Sequence, residues 1–295
     1  MARVVRLLKG IAELTRPHNL LVAAVTTLIG YGLVSKAYGY QLIEDTFAQA
    51  ALIVILVAAA GYVINDYYDI ETDRVAKPWR PLVSGAVQPN VARILAYILF
   101  LSGIIASTNL GPCVVVFVIV NAILLHEYSR WVKKTGFIGN MVVALNSAAT
   151  IIFGGLVRSV ELEVKVPYSV LLPAVYAFLF VLGREVVKGI EDVEGDKRVG
   201  ISTVAVKCGV VCARRVAALL LGLVVAISPL PAVTGLYNWL YVAFAAIVDV
   251  SIAVSLINLY RASSYHELIV EARRARSLLK LGFLAGGVAF TAGLL

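Results

Sequence analysis

The stretch ALIVILVAAAGYVINDYYDIETD, residues 51–73, decides the fold. Its first fourteen residues carry no charge, and its last nine carry four carboxylates, Asp66, Asp69, Glu71 and Asp73. Extended back to residue 46, the apolar run reaches the roughly 20 residues that carry a helix across a bilayer core. A helix that leaves lipid directly into a knot of carboxylates places those charges at the membrane surface, where ionised groups cost less than at the bilayer centre.

The same grammar recurs along the chain. Nine apolar runs lie near residues 18–36, 46–65, 91–108, 111–127, 138–157, 167–187, 213–231, 238–259 and 277–294. The composition agrees: 60% of the 295 residues are hydrophobic, 15% are charged, and the mean hydropathy is +0.89. Soluble domains carry about 25% charged residues, so this chain lacks the polar shell that water requires. The expectation is an all-α integral membrane protein. Small residues inside the runs, such as Gly154 and Gly155, suit close helix packing in lipid.

Lys and Arg set the orientation. With the N-terminus on the cytoplasmic side, only Lys36, Arg158 and Lys165 of the 26 basic residues fall on the opposite side. The positive-inside rule then predicts a multi-pass cell-membrane protein with a cytoplasmic N-terminus and an outside C-terminus. Met1–Arg16 is basic and amphipathic and lacks a small-residue cleavage site, so it reads as an interfacial lead-in. The net charge of +8 belongs to this topology. No basic run is interleaved with aromatics, which argues against nucleic acid as a partner. Cys113, Cys208 and Cys212 show no framework spacing; Cys208 and Cys212, four apart, read as small buried residues on one helix face.

On that topology a second acidic cluster, Glu191, Asp192, Glu194 and Asp196, shares the side of the first, 126 residues further on from Asp66 to Asp192. Residues 1–295 thus read as a single domain with a loose two-half repeat. Asn65, Asp69 and Asp73 step by four, so on a continuing helix they share one face. Arg184, Lys188, Asp192 and Asp196 do the same, presenting two cations and then two carboxylates. Such oxygen ligands suit Mg²⁺, which takes a few carboxylates plus substrate phosphate oxygens. The cations would hold the remaining phosphate oxygens. Solvated loop charge is the competing reading of either cluster alone; a shared polyvalent cation explains why two like-charged clusters face each other. Lys77, Arg80 and Lys133 are candidates for the same anion, whereas Arg130, Lys134 and Arg198 read as topology anchors. Arg273-Arg274-Ala275-Arg276 reads as a membrane-surface anchor. Asp249 is the one carboxylate deep in a span. A cation-coupled transporter would place more such groups at mid-membrane.

These motifs resemble the UbiA superfamily of membrane prenyltransferases. The residues that carry the resemblance are Asn65, Asp66, Asp69 and Asp73 (N-D-x-x-D-x-x-x-D), Asp192 and Asp196 (D-x-x-x-D), and Arg16-Pro17-His18-Asn19 (R-P-x-N). It implies nine transmembrane helices around a central cavity with cytoplasmic cap loops. It also implies Mg²⁺ held by Asn65, Asp69, Asp73, Asp192 and Asp196, binding the diphosphate of an isoprenoid donor. Arg16, Asn19, Lys77, Arg80, Lys133, Arg184 and Lys188 become the diphosphate-binding candidates. Asp69, Asp192, Lys188 and Tyr128 become the catalytic candidates. Tyr62, Tyr67 and Tyr68 offer faces to a developing allylic cation.

The stretches Tyr128–Asn140 and Arg184–Lys197 are similar to the branch that makes archaeal ether lipids by geranylgeranyl transfer to the hydroxyl of geranylgeranylglyceryl phosphate. Gly189 departs from it: many relatives have Asp there, and its absence removes one possible base. An aromatic acceptor, as in quinone synthesis, is the alternative to the lipid one. The donor, the acceptor and the surrounding lipids are the expected partners.

Overall fold

The computed structural model describes residues 2–233 and 235–295; Met1 and Thr234, and the side chains of Ala2, Arg3 and Ala76, lie outside the described residues. Among the described residues nine helices are long and apolar enough to cross a membrane. They are Pro17–Ala37, Asp45–Tyr68, Pro89–Leu110, Pro112–Arg130, Phe137–Glu161, Tyr168–Glu191, Val210–Val233, Trp239–Arg261 and Tyr265–Leu294, here spans one to nine. Several begin where sequence chemistry says they should. Pro occupies the first turn of spans one, three and four, where its missing N–H is no loss. Ser264 and Glu267 form a capping box before span nine.

Consecutive spans alternate up and down, as contacts at the two ends of the bundle show. At one end Arg16, before span one, meets Asp66 of span two, and Arg276 of span nine meets Glu191, the last residue of span six. At the opposite end Lys36 of span one donates to the Leu294 carbonyl of span nine. There Arg158, 2% exposed, donates to Ser35, Tyr31, Glu161 and the Gln41 carbonyl. That guanidinium is buried and fully partnered, the condition under which a buried charge is tolerated.

Spans one and five are shared by the two apolar cores. One core joins them to spans two, three and four, and the other to spans six to nine. Their crossing is backbone on backbone. A Cβ built on Gly154 would lie 1.9 Å from the Thr27 carbonyl oxygen, and one on Gly30 would lie 1.8 Å from that of Ile151. Only glycine allows this approach, the device expected where lipid gives no hydrophobic drive between helices. Beside the crossing, spans one, five, six, eight and nine enclose an apolar cavity of about 200 Å³, with Leu21, Ile151, Phe180, Phe283 and Phe290 on its wall.

Two expectations change here. Span nine begins at Tyr265 rather than near 277, because its polar first turns are held by the capping box and by ion pairs. Arg273 and Arg276, on this helix, also pair with Glu191, at 3.2 and 2.9 Å. Cys208 and Cys212 do not sit as buried thiols on one helix. Gly209, at φ +86°, breaks the helix between them, and they form a disulfide at an exposed loop.

Candidate active site

Both acidic clusters are built on the same local device. Span two stops at Tyr68; Asp69 takes φ −94° and ψ 3°, and a short helix, Ile70–Ala76, continues the line. Span six stops at Glu191; Asp192 takes φ −89° and ψ 4°, and the short helix Val193–Arg198 follows. The four-residue hydrogen bonds persist through both breaks: Asp69 N–H to Asn65 O and Asp73 N–H to Asp69 O, then Asp192 N–H to Lys188 O and Asp196 N–H to Asp192 O. Residues stepping by four therefore keep one face despite the break.

In the first cluster every carboxylate is gripped. Asp66, its side chain 6% exposed, accepts from Arg16 at 2.5 Å and from Arg80 at 2.8 Å. The same Arg80 nitrogen donates to Asp73 at 2.6 Å, and Lys77 stands 3.8 Å from Asp73. Lys133, from the loop after span four, donates to Asp69, whose other oxygen accepts from the Asn65 amide at 3.0 Å. Arg16 adopts the left-handed region, φ +54°, which is uncommon outside glycine. Its bond to Asp66 and its place 4.9 Å over the Tyr62 ring hold it there. Asn19, one turn on, stands beside the Tyr62 hydroxyl.

The second cluster differs. Among the described residues no ion pair reaches Asp192 or Asp196, because their basic neighbours are engaged elsewhere. Arg184 and Lys188 pair with Glu185, at 3.1 and 3.5 Å, and Lys197 with Glu194 at 3.4 Å. Burial, and then the Asp192 charge, push Asp196 up to about 6; burial also raises Asp192, with Lys188 opposing.

The clusters meet through span four and its loop. Tyr128 lies in the electrostatic field of both Asp69 and Glu185, and Glu185 in turn acts on Asp192. Gly136, at φ +72°, lets the loop bearing Lys133 lie against the loop before Val204; a Cβ there would sit 1.7 Å from the Ser202 carbonyl oxygen. Thus Arg16, Asn19, Asn65, Asp69, Asp73, Lys77, Arg80, Tyr128 and Lys133 come together on one side, and Arg184, Lys188, Asp192 and Asp196 on the other. Asp249, bonded to Ser228 at 2.6 Å, stands apart in span eight. Two residues of the site carried no role in the sequence reading. Asp66 was a motif letter and proves to be the buried hub of the first cluster. Glu185 lies seven residues before Asp192, two helical turns, and that spacing was the available signal.

The donor chemistry fits a hard divalent cation. Asp66 and Asp73 already aim their oxygens at one shared positive group, and Asp192 and Asp196 are oxygen ligands short of a counter-charge. Among the described residues no three acidic, His or Cys side chains converge on one point.

Among the described residues, two acidic helix breaks and a set of cations thus close one end of a bundle of nine helices long and apolar enough to cross a membrane. The chain belongs to the UbiA prenyltransferase family, whose model matches residues 23–272, and it is a prenyltransferase. It is similar to the digeranylgeranylglyceryl phosphate synthase of Hyperthermus butylicus, 55% identical over 296 residues and covering 98% of each chain. It also resembles the protein of that name from Sulfolobus acidocaldarius, 40% identical over 97% of this chain and 98% of the relative. A solved digeranylgeranylglyceryl phosphate synthase structure superposes with a TM-score of 0.78 at 29% identity, covering 100% of this chain and 99% of that one. A UbiA homologue from Archaeoglobus fulgidus, solved with GPP and Mg²⁺, shares the fold at a TM-score of 0.61 and 15% identity, over 94% of this chain and 99% of that one.

Proposed function

We propose that the enzyme transfers a geranylgeranyl group from its diphosphate to the free hydroxyl of geranylgeranylglyceryl phosphate, forming an ether bond of archaeal membrane lipids. The observation that carries the acceptor is the 55% identity, over nearly the whole of both chains, to a protein named for that product. The donor reading rests on the matched helix breaks at Asp69 and Asp192. The single-domain, two-half reading of the chain stands with it, as does a cytoplasmic site end.

Each group then has a task. Asn65, Asp69, Asp73, Asp192 and Asp196 would hold Mg²⁺, which when bound would supply positive charge to the departing diphosphate. Arg16, Asn19, Lys77, Arg80, Lys133, Arg184 and Lys188 line the approach of the diphosphate. Charge-assisted bonds from Arg and Lys to phosphate are about twice as strong as neutral ones. They are preset toward an anion, because in the first cluster they already hold carboxylates. Tyr62 and Tyr128 present aromatic faces where the allylic carbon becomes cationic. The apolar cavity receives the isoprenoid tail and excludes water from that carbon.

Purified protein assayed with Mg²⁺ and geranylgeranyl diphosphate tests this. Ether product from geranylgeranylglyceryl phosphate is expected. Product from 4-hydroxybenzoate, with none from the glyceryl phosphate lipid, overturns the acceptor.

A further inference from the structure

Ether formation must dispose of a proton. The acceptor oxygen bonds to C1 of the prenyl group, the C1–oxygen bond to diphosphate breaks, and both its electrons leave with diphosphate. The hydroxyl proton needs an acceptor within hydrogen-bond reach of C1. The metal-binding carboxylates are poor choices, since their lone pairs are committed. Asp66 is closed off by Arg16 and Arg80. Glu191 is held by Arg273 and Arg276, and Glu194 by Tyr265 and Lys197. Glu127 is engaged by His126 and Trp131.

Glu185 is also ion-paired, to Arg184 and Lys188, and differs from these carboxylates in its place on the helix. On a helix, seven residues turn about 700°, so Glu185 and Asp192 share a face within about 20°, and the glutamate lies about 10 Å nearer the membrane interior. Arg184 is rotated about 80° from that line. The equivalent position in the first cluster, seven residues before Asp69, is Tyr62. Tyr62, Tyr128 and Glu185 thus form a layer beneath the carboxylates. That is the layer C1 reaches when its diphosphate is held at the clusters and its tail points into lipid. The Glu185 side chain is 12% exposed and pairs with Arg184 and Lys188, at 3.1 and 3.5 Å. Those cations are the ones a diphosphate would draw away, freeing carboxylate oxygens as the donor binds. Gly189 does not face this layer: a Cβ there would meet Thr203 of the following loop, at 3.6 Å.

We propose that Glu185 is the catalytic base: it takes the proton of the acceptor hydroxyl as the ether bond forms and passes it to water at the site end. The inference rests on the acceptor assigned above. Four measurements on the full-length protein with Mg²⁺ test it: transfer to geranylgeranylglyceryl phosphate, hydrolysis of geranylgeranyl diphosphate without acceptor, Kd for a non-hydrolysable donor analogue, and Tm in detergent. Glu185→Gln is expected to lower kcat for transfer about 10²–10⁴-fold. Donor Kd and Tm should stay close to wild type, and Glu185→Asp should restore part of the transfer. Transfer by Glu185→Gln within a few-fold of wild type overturns the proposal. So does a loss of donor affinity that accounts for the lost transfer, which would make Glu185 only the positioner of Arg184 and Lys188. A wild-type protein that hydrolyses the donor but transfers nothing to this acceptor overturns the assigned function, and the base with it.

Discussion

The two acidic clusters share a backbone device and differ in how their charge is balanced. Around Asp66, Asp69 and Asp73 stand Arg16, Lys77, Arg80 and Lys133, all ion-paired to them. Around Asp192 and Asp196 the cations are turned to Glu185, Glu191 and Glu194 instead. The first cluster is assembled by the protein's own charges and is part of what holds the site end together. The second is left short of positive charge. On the function proposed above, a polyvalent cation there would relieve repulsion, and the second cluster is where metal and diphosphate would gain most.

The largest effects should separate chemistry from stability. Asp69→Asn and Asp192→Asn should each lower turnover by at least about 10²–10³-fold, the range seen when one preorganised electrostatic group is removed. Their Tm values should diverge. Asp69→Asn leaves Lys133, a half-buried cation, without its carboxylate and lowers Tm; Asp192→Asn removes an unbalanced charge and leaves Tm unchanged or higher. Equal Tm shifts would break the contrast.

Next in size is Arg80→Ala. It leaves Asp66, 6% exposed, to Arg16 alone and Asp73, 7% exposed, to Lys77 at 3.8 Å, and should destabilise by roughly 3 kcal/mol, the low end for breaking a buried pair. Arg276→Ala leaves Glu191 with Arg273 and should cost about 1 kcal/mol or less, as for a partly exposed pair. Denaturation in detergent compares the two.

Acidity probes the second cluster through Asp196. Asp196 has a folded-state pKa of about 6, above its ordinary value of 3.8. Its protonated form is favoured by folding, so its contribution to metal-free stability is full below about pH 4 and is lost as pH rises through 6. A bound cation favours the ionised form, so Mg²⁺ affinity should rise over the same window. Thermal shifts from pH 4 to 7, with and without Mg²⁺, measure both slopes, and Asp196→Asn should flatten them. The smallest effect is Lys197→Ala, at an exposed pair with Glu194, for which no resolvable change in Tm or turnover is expected.

Much of this was legible in the sequence, because bilayer thickness and four-residue spacing are local rules. The nine spans and the two carboxylate faces follow from them, and the Arg16–Asn19 signature from the family resemblance. The hidden part is tertiary. Arg16 meets Asp66 across 50 residues, Lys133 meets Asp69 across 64, and Arg276 meets Glu191 across 85. No periodicity reports such pairs. The polar start of span nine was missed because hydropathy sees only its apolar part, whereas the cap and the Glu191 pairs make it helical. Glu185 was overlooked because it sits between two cations that drew attention as phosphate ligands.

The central claim is that both clusters together hold one metal-bound diphosphate. The most direct measurement is calorimetric binding of a non-hydrolysable geranylgeranyl diphosphate analogue to wild type, Asp69→Asn and Asp192→Asn, with Mg²⁺ and with EDTA. The account predicts tight binding only for wild type with Mg²⁺. Mg²⁺-dependent binding of wild-type strength by either variant would contradict it.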